Sequence, residues 1–209
     1  MDVQTTKPVR AYHHGDLRKA LLEAAEQELA ENGVEAFTLR GVAKRAGVSH
    51  AAPAHHFKDT NALLTALAAV AAERFYHAMK NRQLAARKDA RSQFIASGMG
   101  YIDFAVGNPA LFRLMFGSDR PDSSDPELVK HARAGFMVLV EDVARLRGFN
   151  PMERDEGRLD VAVAWSLVHG IATLLIADRL HVIKPMLDRD REKTLRRLVE
   201  RVLPQATRP

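Results

Sequence analysis

The chain has 209 residues, 46% of them apolar and 27% charged, with no cysteine and a formal net charge of +5. That size and balance fit one large or two small soluble domains. The missing thiols exclude disulfides, thiolate zinc sites and cysteine nucleophiles and suit a reducing cytoplasm. Basic charge is local: residues 1–60 balance to neutrality, yet Arg40, Lys44, Arg45 and Lys58 lie between Ala36 and Lys58 with no carboxylate among them.

The pattern is helical throughout. Residues 1–12 read as an arm without the apolar stretch of a signal peptide. Leu17, Leu21, Ala24, Ala25 and Leu29 recur at helical spacing over about 15–31, and Asn32-Gly33 ends that run. Thr38 is a natural N-cap for a short helix from Leu39 to about Ala46, and Gly47 stops it. Ser49 is placed to cap a third, very short helix ending near Phe57. Longer helices are expected over about 61–87 and 90–106, then a short one over 110–116 after Asn108-Pro109. The loop Ser118–Pro126 separates these from helices over 127–147, about 154–180 and about 190–203, with Lys184-Pro185 as an interruption. The fold class is all-α: an N-terminal three-helix helix-turn-helix domain over residues 11–60, followed by a larger helical bundle domain over 61–209. The apolar run 161–177 contains Ser166, His169, Gly170 and Thr173 and is shorter than the roughly 20 residues a spanning helix needs, so it reads as a packed helix and no membrane partner is expected.

Residues 38–57, TLRGVAKRAGVSHAAPAHHF, place two short helices around Ala46-Gly47-Val48-Ser49. This is the helix-turn-helix arrangement, in which the first helix braces a second that enters the DNA major groove. Exposed residues there must be small or polar to approach base edges, and Ser49, His50, Ala51, Ala52, Ala54 and His55 meet that demand. Thr38, Arg40, Lys44, His56 and Lys58 are candidates for phosphate or flanking contacts, with solvated helix faces as the plain reading. Lys7, Arg10, Arg18, Lys19 and His13-His14 are either further phosphate contacts or a solvated terminus.

The segment DLRKALLEAAEQELAENGVEAFTLRGVAKRAGVS with its tail HHFKDTNALL resembles the DNA-binding domain of the TetR family of bacterial transcriptional regulators over about residues 15–66. NPALFRLMF and WSLVHG resemble, more loosely, the C-terminal domain of a subgroup of that family. The resemblance implies a homodimer on a palindromic double-stranded DNA operator and a small-molecule effector in the larger domain, with repression as the family's usual sign. One departure stands out: Pro53-Ala54 replaces the usual aliphatic–tyrosine pair, removing a hydroxyl and an N–H from the recognition element.

The candidate effector-binding residues are Met99, Ile102, Phe112, Met115, Phe116, Met137, Trp165 and His169, although most read equally as core. His169 is either a polar anchor in an effector pocket or a core histidine with a satisfied hydrogen bond. The apolar helices near 154–180 and 190–203 are expected to pair with their symmetry mates in a four-helix interface. Glu73/His77 and Glu127/His131 lack the spacing of a metal site, and no phosphate loop, nucleophile elbow or His-Glu-x-x-His motif occurs. No enzyme activity, cofactor or metal is therefore expected. The competing reading is a helical small-ligand-binding protein with weak or no DNA binding.

Overall fold

A computed structural model describes residues 14–201. Lys7, Arg10 and His13 lie outside those residues, as does the expected end of the last helix at Leu203. The described residues form α1 (His14–Asn32), α2 (Leu39–Arg45), α3 (Thr60–Ala85), α4 (Ala90–Gly107), α5 (Pro109–Gly117), α6 (Pro126–Arg147), α7 (Asp155–Ile176), α8 (Lys184–Arg189) and α9 (Arg191–Glu200). Single 3₁₀ turns occur at Ala52–His55, Pro151–Glu153 and His181–Ile183, and no strand is present among the described residues.

Three elements depart from expectation. The third helix is only the 3₁₀ turn Ala52–His55, and no side chain caps it, so Ser49 is not its N-cap. Pro53 explains this. It has no N–H to return to Ser49, whose carbonyl accepts from Ala52 N instead (3.0 Å). Lys184-Pro185 begins α8 rather than interrupting the chain, because proline in a first turn forfeits no intrahelical bond. The helix expected to reach Leu180 stops at Ile176, just before Asp178 takes a left-handed φ of 50°.

Side-chain caps set several boundaries. Asp59 Oδ1 accepts from Ala62 N (2.8 Å) at the start of α3, and Asp89 Oδ1 accepts from Ser92 N (2.9 Å) at the start of α4. Asp125 Oδ1 accepts from both Glu127 N and Leu128 N at the start of α6.

α3 is the axis of the molecule. It buries Leu63, Leu64, Leu67, Ala68, Ala71, Phe75 and Met79 and packs against α1, α4, α5 and α6. One apolar cluster therefore runs unbroken from Leu21, Leu29, Phe37, Val42 and Phe57, through α3, to Leu195 and Val199 on α9. α3 and α4 cross with their backbones close together. A Cβ on Gly100 would lie 2.5 Å from the Ala78 carbonyl oxygen and 2.6 Å from Met79 Cα.

At the far end of α3 a polar knot joins three helices. Asp142 on α6 is fully buried. It accepts from Gln83 Nε2 on α3 (2.8 Å), Ser97 Oγ on α4 (2.5 Å) and Arg145 Nη1 on its own helix (2.6 Å). Burial pushes its carboxyl up to about 6, against the opposing effects of Ser97, Arg145 and Gln83.

Two predictions follow from this packing. Gly100→Ala forces backbone apart and should destabilise the protein by about 2–3 kcal/mol in urea unfolding. Gly107→Ala, at a position with nothing within 4 Å of the added carbon, should change stability by less than about 1 kcal/mol. An unfolded aspartate titrates near about 3.9, so between roughly pH 4 and 6 the folded chain binds more protons at Asp142 than the unfolded one. The stability contributed by this group is full below about pH 4 and falls by about 2–3 kcal/mol as pH rises through 6. Asp142→Asn should remove that slope; a pH-independent difference between the two proteins across this window would refute it.

Candidate nucleic-acid interface and effector cavity

The helix-turn-helix end is built from α1, α2 and the turn that follows. Thr38 is extended and its Oγ1 accepts from Gly41 N (3.0 Å), so it caps α2. Gly47 follows at φ +67°, where a side chain would be strained. Val48 N then returns to Ala43 O (3.1 Å), and Val48 itself packs against the core. Arg45 fixes α2 on α1: its Nε donates to Glu28 Oε2 (2.5 Å), and its two terminal nitrogens pair with Glu31. Glu28 is buried in this contact. Behind the 3₁₀ turn, Pro53 and Phe57 are buried, and the Arg18 guanidinium lies 5.4 Å from the centre of the Phe57 ring.

This packing sorts the expected DNA contacts. Thr38, Arg40, Lys44, Ser49, His50, Ala51, Ala54, His55 and Lys58 are exposed. Ala52 and His56 are half-buried. His56 borders a cleft of about 590 Å³ whose wall also includes Asp122, Asp125, Glu127 and His131, which draws it away from the exposed set; Lys58 borders the same cleft. Among the basic residues of the local patch, Arg45 is spent on Glu28 and Glu31, whereas Arg40, Lys44 and Lys58 have no ion-pair partner among the described residues. Those three charges remain for an anionic partner.

A second cavity, about 630 Å³, lies between α3, α4 and α6, with α5 and α7 also contributing to its wall. Its size falls in the range of small-molecule sites. Of the candidate effector-binding residues, Met115, Phe116 and Trp165 line it. The remaining candidates lie elsewhere. Met99 and Ile102 are almost fully buried in the core, and Met137 packs in a separate cluster with Phe94, Val140 and Val161. Phe112 and His169 border a smaller hollow of about 210 Å³. Phe75, Met79, Tyr101, Leu128, Phe136 and Leu139 form walls that pattern reading missed. The signal was there on α6, where Leu128, Ala132, Gly135, Phe136 and Leu139 share a helical face, but α6 also buries Val138, Val140 and Val143, so periodicity left open which face bounds a void.

His169 is half-buried and its Nδ1 is 2.7 Å from Tyr101 Oη. Burial holds its imidazole below the usual histidine range. Burial raises the Tyr101 hydroxyl well above the usual tyrosine range, with Trp165 opposing through a hydrogen bond. The pair is therefore neutral.

The loop 118–125 touches both sites. Ser123 lines the cavity. Arg120 Nε donates to Asn61 Oδ1 on α3 (2.8 Å), its Nη1 donates to Val34 O between α1 and α2 (3.2 Å), and Asp122 N donates to Thr65 Oγ1 (2.9 Å).

α7 leaves an apolar stripe outside: Leu159, Val163, Leu167 and Leu174 are exposed, Leu159 by 63% and Leu167 by 47%. Although α7 is long and apolar enough to cross a membrane, Gly157, Val161, Ala164, Val168 and Ala172 are buried, and it packs against α4 and α6. α9 differs from expectation. Its Leu195 and Val199 are buried and it packs on α4, leaving Glu192, Lys193, Arg196 and Arg197 outside.

Comparison with known proteins supports one family. Residues 94–202, more than half of the chain, match the family described as tetracyclin repressor-like, C-terminal domain. Residues 21–67 match bacterial regulatory proteins, tetR family. The HTH-type transcriptional regulator BetI of Burkholderia lata is 35% identical over 82 residues, covering 39% of this chain and 42% of that protein, so the match spans less than half of the curated relative. A Rhodococcus sp. RHA1 protein of unknown function is 33% identical, with a TM-score of 0.71 over 90% of this chain and 98% of the other. A TetR family transcription regulator from Marinobacter aquaeolei VT8 shares the fold at 17% identity, with a TM-score of 0.63 over 90% and 95% of the two chains. With both parts of its length matched in order, the chain belongs to the TetR family of bacterial regulatory proteins.

Proposed function

We propose that this chain is a cytoplasmic, sequence-specific DNA-binding transcriptional regulator, a repressor that a small-molecule effector releases from its operator. In this reading residues 11–60 form the DNA-binding domain and residues 61–209 the effector and dimerisation domain. The observation that carries it is the exposure of Ser49, His50, Ala51, Ala54 and His55 on a turn anchored from behind by Pro53 and Phe57, beside three basic side chains without ion-pair partners among the described residues. His50 and His55 are the first choices for base contacts; Thr38, Arg40, Lys44 and Lys58 suit phosphates.

A homodimer supplies the second half-site contact. The outer stripe of α7 is the surface proposed for it, because Leu159, Val163, Leu167 and Leu174 recur at helical spacing and Gly170 between them has nothing within 4 Å of an added Cβ. A second copy can seat its own helix there. Two-fold symmetry then spaces the recognition turns by roughly 34–36 Å or a small multiple of a DNA turn. The effector is proposed to occupy the cavity of about 630 Å³. Its occupancy reaches the DNA-binding domain through the loop 118–125, which shares Ser123 with the cavity wall and holds Val34 and Asn61 through Arg120. An effector that prefers one arrangement of this loop shifts the population of DNA-competent dimers.

The short recognition turn favours a second reading, a ligand-binding protein with little grip on DNA. Salt dependence separates the two. In a shift assay on the DNA upstream of its own gene, log affinity should fall against log salt with a slope of about −5 to −9. Lys58→Ala should lessen that slope by about 2 for the dimer, one contact per subunit, and Leu167→Glu should give a monomer by sedimentation with loss of binding. A flat salt response selects the second reading. Arg120→Ala should raise amide hydrogen exchange around Val34 and the first turn of α3 while leaving the α6–α7 contact protected. Unchanged exchange at both places would show that Arg120 does not couple the loop 118–125 to α1 and α3.

A further inference from the structure

The wall of the α3–α4–α6 cavity holds few polar groups, and two of them are already committed. Ser97 Oγ is 2.5 Å from Asp142 Oδ2, and Tyr101 Oη is bound to His169 Nδ1. Two polar side chains remain, Ser123 and Arg133, and neither has a hydrogen-bond or ion-pair partner among the described residues. Arg133 is the one charged residue in the wall. Its own helix offers it no acid, since the positions one turn away are Val129, Lys130, Phe136 and Met137. An unpaired guanidinium at the edge of an apolar, ring-lined space repels cations and presents a planar fork matched to a carboxylate.

Resting on the reading that this cavity holds the effector, we infer that the effector is an amphipathic monoanion, with an apolar body among Phe75, Phe116, Phe136 and Trp165 and one carboxylate paired with Arg133. The aromatic rings alone would also suit a quaternary ammonium group. The charge of Arg133 decides between the two, because no carboxylate lines the wall to offset it. Tyr101, whose Oη is bound to His169 Nδ1, adds no charge to the wall, which suits the apolar body. Arg133 is exposed, so its charge costs the empty protein little desolvation, and the ion pair forms where the apolar space meets solvent.

Displacement of a neutral fluorophore tests this on the full chain. N-phenylnaphthylamine is bound first, then titrated with three ligands sharing one body: phenylhexanoate, phenylhexanol and phenylhexyl-trimethylammonium. The carboxylate should displace it at roughly tenfold lower concentration than the alcohol, and the ammonium should be weakest. Arg133→Gln should bring the carboxylate to the alcohol's level while the alcohol is unchanged. Equal or reversed order in the unaltered protein, or a carboxylate preference that survives Arg133→Gln, overturns the inference and leaves the cavity as the effector site. If the fluorophore itself fails to bind, the cavity reading falls and this inference with it.

Discussion

The crossing of α3 over α4 governs the rest of the molecule. α3 is 26 residues long and buries apolar side chains on most of its circumference. That is possible because Gly100 allows the α4 backbone to lie against Ala78 and Met79 without an intervening side chain. Once the two helices are this close, their large residues must spread sideways. Phe75 meets Tyr101 edge-on at 4.8 Å between ring centres and Phe104 at 5.4 Å. On the α6 side Phe75 faces Gly135, where an added Cβ would lie 3.1 Å from its ring. Close backbone contact on one side and bulky rings on the other leave the space between α3, α4 and α6 incompletely filled, and that space is the cavity.

The electrostatics divide in the same way between groups that build and groups that remain available. Arg45 and Glu28 lock α2 against α1, and Arg82 joins Asp103 of α4 to Glu192 of α9. These pairs use their charge internally. Among the described residues Arg40, Lys44 and Lys58 do not, and neither does Arg133. Uncommitted cations therefore occur at the two places proposed to meet ligands from outside. A solvated surface is expected to carry isolated charges, so exposure alone would mean little. What distinguishes these four is position: three are exposed around the turn that follows α2, and the fourth edges a hollow with no other charge in its wall.

Much of this architecture was legible in the sequence because punctuation in it is local. Thr38, Gly47 and Asn108-Pro109 act within one turn of themselves, and the helices they bound appear within a few residues of their expected limits. Pro53 was legible as a disturbance but not in its outcome, because a missing N–H at that position is compatible with either a shortened α-helix or a 3₁₀ turn. The cavity was legible only in part. Met115, Phe116 and Trp165 line it, but Met99 and Ile102 have the same composition and spacing and are core. Periodicity reports that a face is apolar; it does not report whether the neighbouring helix fills the space beside it. The same limit applies to α9, whose apolar positions are satisfied by α4 of its own chain.

The short loop between α5 and α6 gives the proposed switch its economy. The hydrophobic cluster is continuous from the head into the bundle, so the two parts cannot slide freely on an apolar seam. A change in the cavity must then act through something that can reorganise without unpacking that cluster. Arg120 meets this condition. Its three partners, the Asn61 side chain, the Val34 carbonyl and the Ser118 hydroxyl, are held by hydrogen bonds that are exposed or only part-buried. Exchanging such bonds for bonds to water has a small net cost, on the order of 1 kcal/mol each. Coupling energies between sites are themselves only about 1–3 kcal/mol. A loop held by a few exchangeable hydrogen bonds thus matches the scale of the signal it is proposed to carry, whereas the α3–α4 crossing is too rigid to serve and provides the fixed frame against which the loop moves.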